Sequence, residues 1–149
     1  TNPQGRGRSL NVNSNLGPTA AVEFCNISTL GNTRYFGDLL DDAGAGMCSS
    51  EIRAVGARGG GNRINYFTIA SEGNAVPFGD LTYSATLYAV GTSNQTRGIF
   101  ATGYPSSKTI NSVEIATTGD ATEFGEMSWP NVIYGGSAVS DSHGGLGGY

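Results

Sequence analysis

Charge and reactive side chains are scarce in this chain. Of its 149 residues only 13% are charged, with a single lysine (Lys108), a single histidine (His143), a single tryptophan (Trp129) and two cysteines. The net charge of −4 argues against a nucleic-acid binder, because phosphate contacts need clustered Lys and Arg. One histidine leaves little room for acid–base or metal chemistry. In Asp141-Ser142-His143 the residue types of a hydrolytic triad are sequence neighbours, and side chains on a strand alternate between faces instead of converging. Cys25 and Cys48 show no metal-ligand spacing, and Cys25 reads as a small core hydrophobe. The glycine runs at Arg58-Gly59-Gly60-Gly61 and Gly144-Gly145-Leu146-Gly147-Gly148 lack the lysine and following helix of a phosphate loop. Asp41-Asp42 reads as a solvated loop tip. No apolar run approaches the roughly 20 residues of a membrane helix, and Thr1-Asn2-Pro3 opens no charged leader followed by an apolar core. The expectation is a non-enzyme with no cofactor, no metal, no nucleic-acid partner and no membrane span.

Glycine is what the chain has in abundance, at 24 residues. It carries no collagen period and is mixed with Thr, Ser, Asn, Val, Ile, Tyr and Phe, which favours short strands joined by turns. Apolar residues do not recur at helical spacing, so an all-β fold is expected.

An 18-residue pattern occurs three times without a gap: VEFCNISTLGNTRYFGDL from Val22, INYFTIASEGNAVPFGDL from Ile64 and INSVEIATTGDATEFGEM from Ile110. Shared positions are the apolar opener, an isoleucine five residues on (Ile27, Ile69, Ile115), and a glycine followed by Asn or Asp. The pattern closes on Phe36-Gly37-Asp38-Leu39, Phe78-Gly79-Asp80-Leu81 and Phe124-Gly125-Glu126-Met127. Between the copies an arginine element recurs at Arg6-Gly7, Arg53 and Arg97-Gly98, with His143-Gly144 as a fourth instance. The repeat is about 45 residues, a period typical of propellers and stacked arrays. It divides the chain into one repeat-built domain with units at 6–52, 53–96 and 97–142 and a closing strand at 143–149.

Within a unit, the arginine element opens one strand, the stretch from the apolar opener forms a second, and Phe-Gly-Asp forms a third. Gly31-Asn32, Gly73-Asn74 and Gly119-Asp120 read as tight turns between the last two. Apolar residues at positions one, four and six of the pattern are not a clean alternation, which implies burial on both faces or a bulge. Phe36, Phe78 and Phe124 are expected as core anchors between sheets. Asp38, Asp80 and Glu126 are expected to meet Arg53, Arg97, Arg6 or backbone amides across unit boundaries, with His143 in the place of a fourth arginine.

The segments Ser93-Asn94-Gln95-Thr96-Arg97-Gly98-Ile99-Phe100, Ala116-Thr117-Thr118-Gly119-Asp120-Ala121-Thr122-Glu123-Phe124-Gly125 and Ser140-Asp141-Ser142-His143-Gly144-Gly145-Leu146 carry a resemblance. They resemble the FGDL-type repeats of virion structural proteins from cyanophages and related aquatic phages, which are themselves distantly kelch-like. The resemblance covers nearly the whole chain and implies a propeller-blade-like sheet in each unit. A β-trefoil or β-prism, also built from three such units, is the alternative. Those repeats usually continue with Thr and Arg. Here Leu40-Asp41-Asp42 and Ser128-Trp129-Pro130 depart from that, and only Leu81-Thr82-Tyr83 keeps the Thr. The shared motif is structural and supplies no active-site residues.

Two functional classes are consistent with these features. The first is a non-catalytic structural component of a virion surface or extracellular assembly (tail, fibre or head decoration), whose partners are other copies of itself or other virion proteins. The second is an adhesion module that binds a receptor or host-surface glycan through Tyr83, Tyr88, Trp129 and Tyr134 as sugar platforms. The first is favoured, since the repeated positions have core character and the platform residues are not repeated. Terminal strands left unpaired at either end of the array are expected to pack on a neighbouring copy.

Overall fold

The computed structural model describes residues 7–12, 21–40, 44–58, 61–85, 89–101, 108–128 and 136–138. Eleven strands and no helix are found among them. They form three antiparallel sheets in which each strand pairs with its neighbour in sequence. Sheet 1 contains β1 (Arg8–Val12), β2 (Ala21–Asn26) and β3 (Arg34–Asp38). Sheet 2 contains β4 (Gly44–Ser49), β5 (Arg53–Arg58), β6 (Gly61–Thr68) and β7 (Val76–Ala85). Sheet 3 contains β8 (Val90–Ser93), β9 (Arg97–Ala101), β10 (Thr109–Glu114) and β11 (Thr122–Glu126). The strand before each arginine, β4 or β8, thus shares a sheet with the arginine strand. Boundaries at 52/53 and 96/97 would cut those hairpins, and the sheets instead change between β3 and β4 and between β7 and β8.

The uneven apolar pattern arises from both of its candidate causes. The register slips by one residue between Val22 and Glu23, between Ile64 and Asn65, and between Ile110 and Asn111, the same place in each copy. A bulge there adds local twist and re-aims the residues beyond it. The middle sheet is also buried on both sides. Ile64 and Tyr66 of β6 face sheet 3, while Phe67 and Ile69 face sheet 1.

This double burial creates two apolar layers. Between sheets 1 and 2 lie Val22, Phe24, Phe36, Ala54, Phe67, Ile69 and Ala75. Between sheets 2 and 3 lie Cys48, Val55, Ala57, Ile64, Phe78, Leu81, Phe100, Val113, Ile115 and Ala121, with Tyr66 and Tyr83 alongside. Strand β4 serves both, since Met47 packs on the first layer and Cys48 lies in the second. At its far side β4 lies against β8, where the Ser93 hydroxyl donates to Ser49 O at 2.7 Å and accepts from Ser49 N at 3.1 Å. Both cysteines are free thiols.

Two expectations need correction. The Gly-Asn/Asp pairs are not hairpin tips. The chain reverses earlier, where Ser71 N donates to Thr68 O and Thr117 N to Glu114 O. The Gly-Asn stretch then runs on in extended form, with φ of +155° at both Gly31 and Gly73, a region that only glycine enters without strain. Phe124 is not a core anchor. It is 54% exposed, against 2% for Phe36 and 4% for Phe78. The reason is position in the array: Phe36 and Phe78 are each covered by the following unit, and no described unit lies beyond β11.

Candidate functional site: the contact between repeat units

The residues repeated most strictly in the sequence meet at the junctions between sheets, in the same geometry twice. Along the free edge of β3, Phe36 O accepts from Gly73 N at 2.9 Å and Asp38 O from Ala75 N at 2.8 Å, while Asp38 N donates to Asn74 Oδ1 at 3.0 Å. Along β7, Phe78 O accepts from Gly119 N at 2.8 Å and Asp80 O from Ala121 N at 2.8 Å, while Asp80 N donates to Asp120 Oδ1 at 3.0 Å. This second junction is extended by Asn111, whose Oδ1 accepts from Thr82 N at 2.8 Å. The Gly-Asn/Asp stretch of each unit is therefore a clasp on the outer strand of the unit before it. It gives partners to an edge that would otherwise present unpaired amides and carbonyls.

The glycine of Phe-Gly-Asp is explained by the same contact. A Cβ on Gly37 would fall far inside contact distance of Gly73 O, and one on Gly79 would fall equally close to Gly119 O. The obstructing atoms are main chain held in hydrogen bonds, so they cannot swing aside. Gly125 occupies the third such position, yet a Cβ there would meet nothing within 4 Å.

Arginine supplies the other half of the junction. Arg8 Nη1 donates to Ile69 O at 2.8 Å. Arg53 Nη1 donates to Ile115 O at 3.0 Å and to Ala116 O at 2.8 Å. Each guanidinium first stacks on an aromatic ring of its own sheet, Arg8 over Phe24 at 4.8 Å and Arg53 over Tyr66 at 4.6 Å. Stacking of this kind pre-orients the planar fork toward the next unit's carbonyls. Arg97 holds the third equivalent position, where Ser112 replaces the ring. Its Nε instead lies 3.5 Å from Glu114 Oε1, with both side chains at least half exposed. A pair so exposed contributes roughly 0–1 kcal/mol.

The expected pairing of repeated acids with repeated arginines is thus corrected. What crosses the boundary at Asp38 and Asp80 is their main chain, and the arginine heads go to carbonyls at the end of the next unit's middle strand. The carboxylate of Asp38 acts locally. It accepts from the Tyr35 hydroxyl, and that hydrogen bond, with slight burial and the nearby negative charge, raises the Tyr35 pKa. Glu126 sits on β11 with no described unit beyond it. Arg8, missed in the sequence, is the true counterpart of Arg53 and Arg97. The ladder shows this: Arg8 pairs with Asn26, Arg53 with Thr68 and Arg97 with Glu114. The Arg-Gly dipeptide shared with Arg97-Gly98 points instead to Arg6, which lies outside the described residues, as does His143.

The sugar-platform residues fare differently. Tyr83 is partly buried against the second apolar layer, its hydroxyl has no hydrogen-bond partner, and desolvation pushes its pKa from 10.0 to about 12. It does not offer an open stacking face, which corrects that expectation. Tyr88, Trp129 and Tyr134 lie outside the described residues. No group of three or more His, Cys, Asp or Glu suited to a metal occurs among the described residues, and no described helix is long and apolar enough to cross a membrane. Shallow clefts open beneath the loop at corresponding places in units 1 and 3, lined by Cys25 and Arg34 in one and by Val113 and Thr122 in the other.

No family model matches the chain, and no curated protein matches it. Among solved structures it is similar to the crystal structure of a computationally designed protein, Ika8, at 13% sequence identity and a TM-score of 0.48. That match covers 76% of this chain, which spans 32% of the designed one.

Proposed function

We propose that this chain is a structural, non-catalytic β-repeat protein whose work is to build a surface by sheet-to-sheet contact. The observation that supports this most is where its repeated residues go. Phe, Gly, Asp, Asn and Arg at equivalent positions are all spent on joining one unit to the next. Each unit keeps its strands in its own antiparallel meander, an arrangement that favours the propeller-blade-like reading over a trefoil or prism. The resemblance to FGDL-type phage repeats puts such a surface on a virion, as part of a tail, fibre or head decoration, or in a comparable extracellular assembly.

Electron microscopy of the purified chain and a glycan array together test this reading. Regular particles or filaments without saturable sugar binding are expected. Sugar-specific, saturable binding would replace it with the adhesion reading.

A further inference from the structure

The two junctions inside the chain define a contact with two complementary halves, and the structure leaves one of each half unused. The leading half is the outer strand of a unit, and the trailing half is the clasp of the unit after it. Among the described residues, the end of sheet 3 is an unused leading half: the exposed ring of Phe124, the unobstructed Gly125, and Arg97 beside Glu114. At sheet 1 stands an unused trailing half. Ile27 is 68% exposed, whereas its equivalents Ile69 and Ile115 are 5% and 1% exposed. Thr33 is exposed, whereas Ala75 and Ala121 are buried.

We infer that sheet 3 of one copy docks on sheet 1 of a second copy through a third instance of this clasp. The reading of the chain as an assembling protein underlies this inference, which adds the partner and the face. By equivalence, Gly31 N donates to Phe124 O, Thr33 N donates to Glu126 O, and Glu126 N donates to Asn32 Oδ1. Arg97 releases Glu114 and donates to Ile27 O. Glu23 stands where Asn111 stands in unit 3, and its carboxylate, now accepting from Thr33 Oγ1 at 2.6 Å, keeps an acceptor for Ser128 N. Every donor has an acceptor. The occupant is a second copy because the two unused halves belong to the same chain and each presents, at equivalent positions, the main-chain groups, glycine, Asn and Arg of a half already engaged within it.

The persistence of glycine at 125 is the sharpest sign. Glycine within a strand costs stability relative to residues with a side chain, and Gly37 and Gly79 are glycine because a carbonyl of the next unit occupies the place of a Cβ. Among the described residues of one copy, nothing asks this of Gly125. A docked Gly31 carbonyl would. The contact joins different faces of the two copies, so it propagates head to tail and either closes into a ring or continues as a filament.

Two variants test it, one on each half. Gly125→Val places a side chain in open space within one copy but against the incoming Gly31 carbonyl. Ile27→Lys alters an exposed side chain within one copy but one that docking would bury beside Arg97. Light scattering should give a wild-type mass of at least two chains, and each variant alone should give one chain, with a thermal midpoint that matches the wild type's when both are too dilute to associate. A one-to-one mixture of the variants should give a dimer and nothing larger, because each retains one intact half. Cys25, two residues before Ile27 and on the same face of sheet 1, reports the contact. Its thiol should react at least about tenfold more slowly in the wild type than in Gly125→Val, as expected of a group covered by association.

A wild-type chain that stays monomeric overturns the inference, as does an assembly whose mass neither variant changes, or a mixture that forms no dimer. Failure here is separable from failure of the structural reading. A chain that binds a sugar specifically and still assembles through Gly125 overturns only the latter, whereas a chain that forms regular particles without sugar binding, their mass changed by neither variant, overturns only the clasp between copies.

Discussion

The layer between sheets 1 and 2 and the layer between sheets 2 and 3 are joined by the same hydrogen bonds but filled by different side chains. In the first the rings touch one another. Phe36 stands edge-on to Phe24 at 5.8 Å and to Phe67 at 5.7 Å. In the second the rings are spread out: Phe78 has one such neighbour, Tyr66 at 6.0 Å, and Phe100 and Tyr83 lie apart from it among Val, Ile, Leu, Ala and Cys. The clasp distances nevertheless agree within 0.1 Å between the junctions. Geometry is therefore set by main chain, glycine and the Asn/Asp acceptor, and the filling varies as long as its volume suits the gap. That division is the physical meaning of the repeat: invariant where backbone meets backbone, variable where side chain meets side chain.

The largest effect separates the two fillings. Phe36→Ala and Phe78→Ala should each lower unfolding free energy by about 3–5 kcal/mol, since each empties a buried ring site. Phe36→Ala should cost more, by about 0.5–1.5 kcal/mol, because it removes a second edge-to-face partner as well. Urea unfolding of the two variants decides this. Equal losses would mean that the ring cluster of the first layer packs no better than the mixed filling of the second.

Next comes the clasp, where the layers should behave alike. Gly37→Ala and Gly79→Ala each force a methyl group against a hydrogen-bonded carbonyl, and such overpacking costs about 1–3 kcal/mol or more. The two losses should match within about 0.5 kcal/mol. A large difference would show that one clasp yields where the other does not, and the equivalence of the junctions would fail.

Much of this architecture is legible in the sequence, and the remainder is hidden for a definite reason. Composition points to strands, the ungapped pattern to three equivalent units, and the apolar residues at positions one, four and six to a strand either bulged or buried on both faces. A pattern of side chains is silent on main-chain partners, however. Asp38 and Asp80 read as acids seeking arginines, while their contribution to the junction is a strand edge. Gly73-Asn74 reads as a turn, and its work is to bind a strand 36 residues earlier through Asp38 N. Phe124 matches Phe36 and Phe78 letter for letter. Its burial depends on whether another unit packs over the ring, and the letters of its own unit do not contain that.

Alkaline pH should distinguish the layers more gently, because the buried titratable groups forced from their ordinary range sit in the second. Burial raises the Cys48 thiol from 9.0 to about 12, and Tyr83 rises from 10.0 to about 12 by the same cause. Both are neutral acids whose folded pKa lies above the unfolded one. Their burial is therefore compatible with full stability below about pH 9, and stability falls as pH rises from there toward 12, as the unfolded chain releases protons that the folded chain retains. Between pH 8 and pH 10.5 the Cys48 contribution amounts to about 2 kcal/mol at most. Unfolding free energies at those two pH values should drop less in Cys48→Ala than in the wild type. A parallel drop in both proteins would place the alkaline sensitivity elsewhere.

The smallest effect is expected at the outer face of sheet 3, where no described sheet forms a layer. Phe124→Ala removes a ring of the same type, at the same position of the pattern, as the ring whose loss from Phe36 or Phe78 is costly. The ring at 124 is more than half exposed, so its removal leaves no cavity and returns little apolar surface to water. Measured below the concentration at which copies associate, the change in unfolding free energy should stay within about 0.5 kcal/mol, the range of ordinary surface substitutions. Association supplies the contrast. Once a second copy covers sheet 3, the ring passes from the surface to the position held by Phe36 and Phe78, and the same substitution should weaken self-association by a large factor. Thermal melts of wild type and Phe124→Ala across a concentration series test both statements at once. The two curves should coincide when dilute and part when concentrated, with only the wild-type midpoint rising. Curves already separated at the lowest concentration would mean that Phe124 is packed within its own chain, and the contrast between the end of the array and its interior would be lost.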